Sequence, residues 1–172
     1  MDLAAGVGLR LKGLREGQRM SLSELARRSK VGKATLSELE SGRRNPTLET
    51  LYALTTALKV PLSSVLHDLG SPATISGDAV DAVLLERFEA DTSVTETYRI
   101  RIRSGATQES AAHSPGTTEH IIVLTGTALV GDVENPVLVG PGMHGTWAAD
   151  IPHLYRAQTG DVEAVLLVRH PR

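Results

Sequence analysis

Apolar residues between positions 3 and 69 recur every three or four residues. Leu3, Val7, Leu11 and Leu14 form the first such stripe, which ends near Gly17. This spacing puts the apolar side chains on one face of a helix. Similar stripes predict four more short helices, which begin near Leu22, Lys33, Leu48 and Leu62.

Polar residues and glycine define the ends of the predicted helices. Ser21 and Glu24 form a capping box, in which the Ser21 hydroxyl accepts from a first-turn amide and Glu24 reaches back. The segment Ser29–Gly32 is a tight turn, and Gly42 provides a left-handed C-cap for the third helix. Two short helices joined by a tight glycine-containing turn are typical of the helix-turn-helix motif, whose second helix enters the major groove of DNA.

A different pattern begins after residue 79. The segment Tyr98–Arg103 alternates apolar residues with arginine, which predicts a half-buried strand. Further short apolar runs are Val80–Phe88, His120–Leu124, Thr127–Val133, Val137–Val139, Thr146–Ala148 and Val162–Val168. About seven or eight short strands at this spacing predict a sandwich or jelly roll. We therefore expect an α + β two-domain fold, with five helices in residues 1–68, a linker rich in Gly, Ser, Pro and Asp at 69–79, and a β domain at 80–172.

The two predicted domains differ in charge. Residues 1–70 carry 11 Lys and Arg against 7 Asp and Glu, whereas the other 102 residues carry 7 Arg against 13 acidic residues. This asymmetry favours nucleic acid as the partner of the first domain, although a solvated helical surface would show the same excess. The absence of cysteine excludes disulfide and thiol chemistry and agrees with a reducing cytoplasm. No apolar run is long enough for a membrane span, and the first residues do not have the pattern of a secretory signal.

The segments Ser21–Ala26, Thr35–Gly42 and Asn45–Leu51 resemble the lambda-repressor/Xre family of DNA-binding domains, and the resemblance covers residues 6–67. It implies that double-stranded operator DNA is the partner. The DNA-contacting positions that it implies are Ser21, Ser23, Gly32, Lys33, Ala34, Thr35, Glu38, Arg43, Arg44 and Asn45. Lys33 is expected to donate to guanine and Glu38 to accept from cytosine, while Arg43 and Arg44 contact phosphates. Glu40 matches a position that is structural in this family.

Residues of the second domain resemble the two motifs of the cupin family. The matching positions are Gly105, His113, Gly116–Glu119 and Gly126 for the first motif, and Gly142, Asp150–His153 and Tyr155 for the second. The resemblance covers about residues 80–170 and implies a jelly-roll barrel. A metal-binding cupin supplies a His-x-His pair, a glutamate and a distant histidine to a divalent transition metal.

The candidate metal ligands are His113, Glu119 and His153. Pro115 stands where a metal-binding cupin has its second histidine, and proline cannot ligate. The three remaining residues form a two-His-one-carboxylate set suited to Fe, Mn, Ni or Zn, if they converge. The Pro-Gly turn between His113 and Glu119 leaves that open. The alternatives are polar residues that line the mouth of a pocket, or a site that has lost its metal while the fold stayed. His120 is expected on the opposite face of its strand, and His144 in a loop from which it could swing in.

The candidate effector-binding residues are Arg99, Arg101, Trp147 and Tyr155. The two arginines share a strand face with Arg103. They form either an exposed charged surface or, if they point into the barrel, a bidentate site for a carboxylate or phosphate. Trp147 and Tyr155 lie near His153 in the sequence and either line the same cavity or belong to the core or an interface.

These features together predict a cytoplasmic transcriptional regulator rather than an enzyme, because a helix-turn-helix domain followed by one cupin domain resembles a known class of bacterial regulators. The β domain is expected to bind a small-molecule effector and to form a homodimer. One small module binds DNA weakly, whereas two modules on half-sites about 34 Å apart restore affinity. Two alternatives stay open. One is a metal-dependent cupin oxygenase or epoxidase with an accessory helix-turn-helix domain, and the other is an antitoxin-like DNA-binding module with a protein partner.

Overall fold

The chain divides into two compact units, Met1–Ala73 and Thr74–Arg172. A computed structural model describes residues 3–66 and 74–172. The first unit is helical and the second is built from strands, so the predicted α + β two-domain class is confirmed. Among the described residues, no helix is long and apolar enough to cross a membrane.

The first unit contains the five predicted helices. They are α1 (Leu3–Gly17), α2 (Leu22–Ser29), α3 (Lys33–Glu40), α4 (Leu48–Leu58) and α5 (Ser63–Leu66). Leu25, Leu36 and Leu51 are fully buried, so the apolar stripes of α2, α3 and α4 meet in one core. Each such leucine contributes about 1.5–3 kcal/mol through its burial. This core sets the orientation of α3 relative to α2.

Helix α1 packs closely against the end of α3. A Cβ atom at Gly8 would lie 2.1 Å from the carbonyl oxygen of Leu39, so the approach requires glycine. Farther along α1, the buried guanidinium of Arg15 reaches the carboxylate of Glu40. The C-terminal end of α3 is therefore held by α1 at two points.

The second unit consists of ten strands among the described residues, all paired antiparallel. The strands are β1 (Thr74–Ser76), β2 (Val80–Ala90), β3 (Ser93–Ile102), β4 (Thr107–Ser110), β5 (Thr118–Thr125), β6 (Ala128–Asp132), β7 (Val137–Val139), β8 (His144–Ala148), β9 (His153–Ala157) and β10 (Val162–Pro171). One sheet has the order β1-β2-β3-β10-β5-β8 and the other has the order β4-β9-β6-β7. The sheets face each other, because the Tyr155 hydroxyl on β9 reaches the Glu119 carboxylate on β5. This is the two-sheet jelly roll that the sequence predicted.

Several parts of the β unit differ from the sequence prediction. Residues 74–76 were expected in the linker but form β1, with Ile75 buried, whereas residues 69–73 lie outside the described part of the chain. Strands β4 and β9 are absent from the prediction because polar residues interrupt their apolar alternation. His144 does not lie in a loop, since it begins β8 and pairs with Ile122, with its side chain exposed.

Candidate DNA interface and buried histidine–glutamate site

Helix α3 presents a row of polar and small residues on its outer face. Gly32, Lys33 and Ala34 are exposed at its start, and Thr35 and Glu38 are half-buried farther along. The apolar residues Leu36 and Leu39 point inward. The positions expected to read bases therefore share the accessible side of the helix.

The start of α2 carries the two candidate serines. The Ser21 hydroxyl accepts a hydrogen bond of 3.1 Å from the Glu24 amide and so caps α2, while Ser23 is exposed. The other half of the predicted capping box is wrong, because Glu24 does not reach back. Its carboxylate instead accepts from Arg27 and Arg28 on the next turn, which lowers the pKa of Glu24 to about 2. These hydrogen bonds between neighbouring turns offset part of the positive charge on α2.

The loop after α3 contains the candidate phosphate-binding residues. Gly42 ends the helix with φ +70°, as expected for a left-handed C-cap, and Arg43, Arg44 and Asn45 follow it with exposed side chains. The Arg44 Nη1 atom lies 3.4 Å from Glu38 Oε2. An exposed ion pair of this kind contributes little, so it is easily exchanged for a phosphate.

Glu40 does not share the exposed row. Arg15 donates to it through two parallel hydrogen bonds, Nε to Oε1 at 2.7 Å and Nη2 to Oε2 at 2.8 Å. The third nitrogen, Nη1, donates to the Met20 carbonyl at 2.9 Å. This geometry agrees with the structural role expected for Glu40, because its carboxylate ties α3 to α1.

The three candidate metal ligands converge inside the β unit. Glu119 lies on β5, His153 begins β9, and His113 lies in the loop before Gly116. Their side chains are 3%, 0% and 0% exposed for His113, Glu119 and His153. The Nε2 atom of His113 is 3.1 Å from Glu119 Oε1, and the Nε2 atom of His153 is 3.6 Å from Glu119 Oε2. The sequence did not decide whether these three residues converge, and the structure shows that they do.

Backbone hydrogen bonds across the loop explain the convergence. The His113 amide donates to the Ala149 carbonyl at 2.8 Å, and the Ala149 amide donates to the Thr117 carbonyl at 2.8 Å. The Gly116 amide donates to the Asp150 carboxylate at 2.7 Å. The turn that contains Pro115 is thus clamped to the segment just before β9, which brings His113 to the same place as His153.

The His153 ring is oriented with its Nε2 atom toward the Glu119 carboxylate. Its Nδ1 lies 2.9 Å from the Ile151 carbonyl, which can only accept, so Nδ1 carries a proton and Nε2 is turned toward Glu119. Among the described residues, Nε2 is buried with no hydrogen-bond partner and faces Glu119 Oε2. A buried nitrogen without a hydrogen-bond partner beside a carboxylate oxygen is an environment that favours a cation. Ligand atoms about 2.0–2.2 Å from one ion are themselves about 3–4 Å apart, so the donor set fits a metal.

Neighbouring side chains lower the pKa of Glu119 in spite of its burial. Burial by itself raises the pKa of the carboxyl, but the hydrogen bond from His113, the attraction of the two histidines in their protonated form and the hydrogen bond from Tyr155 hold the pKa below its ordinary value. A carboxylate is the form that binds a metal ion.

Two of the candidate effector-binding residues lie beside this site. The ring of Tyr155 is 5.8 Å from that of His153, and the ring of Trp147 is 6.5 Å from it. Trp147 and Tyr155 also pack edge to face, with centroids 5.9 Å apart. Together these rings wall the histidine–glutamate site with apolar surface.

The other two candidate effector-binding residues, Arg99 and Arg101, do not lie in this site. Arg99 and Arg101 are exposed on the outer face of β3, opposite to the buried residues Tyr98 and Ile100, so of the two alternatives the exposed charged surface is observed and the site inside the barrel is not. Arg101 is paired with Asp161 on that outer surface. Alternation along β3 sets the direction of these side chains, because its odd-numbered and even-numbered residues face opposite sides of the sheet.

Comparisons with known proteins show which family the chain belongs to. A helix-turn-helix family model, HTH_3, matches residues 11–65. The chain is 33% identical to the HTH-type transcriptional regulator SutR of Escherichia coli K12, over 99% of this chain and 98% of that protein. The chain belongs to the HTH-type transcriptional regulators.

Two further proteins that resemble this HTH-type regulator are also transcriptional regulators. The transcriptional regulator ClgR of Mycobacterium tuberculosis is 45% identical over 64 residues, which are 37% of this chain and 57% of ClgR. The crystal structure of an HTH_3 family transcriptional regulator from Vibrio cholerae has a TM-score of 0.87 at 27% identity, covering 99% of this chain and 98% of that one. The likeness to the Vibrio cholerae protein extends through both units.

Two buried polar residues of the regulator, Glu96 and Gln108, were not predicted from the sequence. Glu96 is fully buried and accepts a hydrogen bond of 2.8 Å from the Tyr98 hydroxyl. The Gln108 side chain is buried and accepts from the amides of Ala79 and Val80. The alternation along β3 could have placed Glu96 inside, since it is two residues before Tyr98, whereas Gln108 lies on the short polar strand β4 and gave no such signal.

Proposed function

We propose that this HTH-type regulator binds operator DNA through the outer face of α3 and the loop after it. The observation that carries the proposal is the accessible row of exposed Lys33 and half-buried Thr35 and Glu38, which continues into the exposed Arg43 and Arg44. Docking in the major groove requires base-reading groups on one helix face and phosphate-binding groups beside it. The excess of basic residues in the first 70 positions supports the same surface.

The regulator acts as a homodimer in the bacterial cytoplasm, and its β unit senses a small effector. A single module with so few base-reading side chains has low affinity, whereas a dimer on paired half-sites has the affinity that regulation requires. Sedimentation analysis of the full chain tests the dimer. A monomer at micromolar concentration, together with a preferred DNA site that lacks two-fold symmetry, would overturn it.

Selection of DNA sites from a random library tests the DNA-binding face. We expect Lys33→Ala to lose preference at one base pair of each half-site, at a cost of about 1–3 kcal/mol per contact. Lys12→Ala removes the same charge from an exposed position of α1 and should keep the wild-type preference. Unchanged preference in Lys33→Ala would show that α3 does not read the groove.

We propose further that His113, Glu119 and His153 hold a divalent transition metal at which the effector is sensed. The bound ion would supply a positive charge and open coordination positions for an electron-rich group of the effector. The chain's own residues prepare the site: the Ile151 carbonyl fixes the His153 ring so that Nε2 faces inward, and the rings of Trp147 and Tyr155 limit the access of water.

Metal analysis tests this proposal on protein purified without chelator or metal-affinity resin. Wild type should carry close to one transition-metal ion per chain, and His153→Ala should carry none. His120→Ala is the matched control, because His120 is exposed on the other face of β5 and contacts Thr146. Wild-type protein that stays metal-free, even after incubation with Fe²⁺, Mn²⁺, Ni²⁺ or Zn²⁺, would leave the three residues as structural polar groups.

One observation favours an enzyme as the second candidate function. Three protein ligands leave positions where a substrate and an oxidant could both bind. The regulator proposal instead expects no turnover by the metal-loaded protein, and a change in DNA affinity when the metal is added or removed. Oxygen consumption with small organic substrates, measured beside DNA affinity, separates the two functions.

A further inference from the structure

The Tyr155 hydroxyl is in direct contact with the candidate metal site. It donates a hydrogen bond to Glu119 Oε2, the same oxygen that faces the bare Nε2 atom of His153. Tyr155 lies two residues after His153 on β9, so strand alternation points both side chains into the interior from the same wall. The Tyr155 oxygen and the His153 Nε2 atom therefore both lie beside the same oxygen of Glu119.

We propose that Tyr155 is a fourth metal ligand. It supplies the donor that is missing because Pro115 stands where metal-binding cupins have a second histidine. This inference rests on the metal site proposed above. When a metal is bound, the Tyr155 phenol would release its proton to solvent, so that the phenolate oxygen and the Glu119 carboxylate could both serve as ligands. The resulting set is two imidazoles, one carboxylate and one phenolate.

Charge balance supports the phenolate. Glu119 and His153 have no exposed side-chain surface, and Tyr155 is 4% exposed. A divalent ion with two neutral imidazoles and one carboxylate keeps one net positive charge in this buried site, and an uncompensated buried charge is costly. A phenolate at Tyr155 would neutralise this charge, and its oxygen already contacts the Glu119 carboxylate. The two nitrogen and two oxygen donors suit iron.

Visible spectroscopy of the iron-loaded full-length protein tests the proposal. The protein is loaded with Fe²⁺ under anaerobic conditions and then oxidised with air. A phenolate bound directly to iron(III) gives a charge-transfer band in the visible range, whereas a phenol that only donates a hydrogen bond to a ligand does not. We expect the band in wild type and its complete loss in Tyr155→Phe, with iron still bound to the variant.

The chain offers a matched control. Its three tyrosines are Tyr52, Tyr98 and Tyr155. Tyr98 is also buried in the β unit, but its hydroxyl donates to Glu96 instead of Glu119. Tyr98→Phe should therefore keep the band, and resonance Raman spectra of wild type and Tyr98→Phe should show phenolate vibrations that Tyr155→Phe does not show.

The outcomes separate this inference from the metal proposal. Iron bound by wild type without a band would overturn the Tyr155 ligand and leave the three-residue site intact. Wild type that binds no iron would overturn both. A loss of metal affinity in Tyr155→Phe is not sufficient by itself, because groups that only orient a ligand also contribute about 10–100-fold to metal affinity. The band is therefore the deciding measurement.

Discussion

Arg15 of α1 forms a buried, two-pronged ion pair with Glu40 at the end of α3. Its Nε and Nη2 atoms donate to the two carboxylate oxygens at 2.7 Å and 2.8 Å. Side-chain exposures are 11% for Arg15 and 7% for Glu40. The pair fixes the angle of the helix that we propose reads DNA, so its loss has consequences for both stability and DNA binding.

Replacing Glu40 with alanine should lower the free energy of unfolding of the helical unit by about 3 kcal/mol, because the Arg15 charge stays buried without its partner. Urea unfolding followed by far-UV circular dichroism measures the change. Glu16→Ala is the control, since Glu16 is exposed and lies 3.3 Å from the same guanidinium. Equal losses in the free energy of unfolding would show that Glu40 contributes no more to stability than the exposed Glu16.

Alanine at Gly8 should destabilise the helical unit, whereas alanine at Gly13 should stabilise it. Both glycines lie in α1, where alanine is usually favoured by about 0.5–1 kcal/mol. A Cβ at Gly8 meets the Leu39 carbonyl oxygen at 2.1 Å, but a Cβ at Gly13 has no atom within 4 Å. We expect a loss of about 1–3 kcal/mol for Gly8→Ala because the backbones must separate. Stabilisation of both variants in thermal unfolding would contradict the close approach of α1 and α3.

Removing the Arg43 side chain should weaken DNA binding almost equally for all sequences. If Arg43 contacts one phosphate, the slope of log affinity against log salt decreases by about one. Fluorescence anisotropy with DNA at several salt concentrations measures the slope. Arg99→Ala changes the net charge by the same amount on the outer face of the β unit, and its slope should equal that of wild type. An unchanged slope in Arg43→Ala would show that the loop after α3 is not on the DNA.

Asp161 should contribute stability that acid removes. Its pKa is lowered to about 2 by the Ser104 amide and by Arg101. A carboxyl whose folded pKa is depressed stabilises the fold above its ordinary pKa, near 3.9, and loses that contribution as the pH falls toward the folded value. The stability difference between wild type and Asp161→Asn should therefore be constant above about pH 5 and shrink between pH 4 and 2. A difference that grows with acid would contradict this sign.

The sequence alone determined the local structure and the order of the two domains. The helices of the first unit are confirmed because their leucines recur at helical spacing and their ends carry specific signals, such as Ser21 and Gly42. These are short-range properties that neighbouring residues decide. The strands with regular alternation, such as β3, are confirmed for the same reason.

Only the tertiary structure decided which side chains meet. His113 and His153 are forty residues apart, and their convergence on Glu119 depends on how the loop that contains Pro115 is clamped to Ala149 and Asp150. The face of β3 that carries Arg99 and Arg101 likewise became known only when the second sheet covered the opposite face. Such contacts depend on long-range packing and strand register, which a local pattern along the chain does not encode.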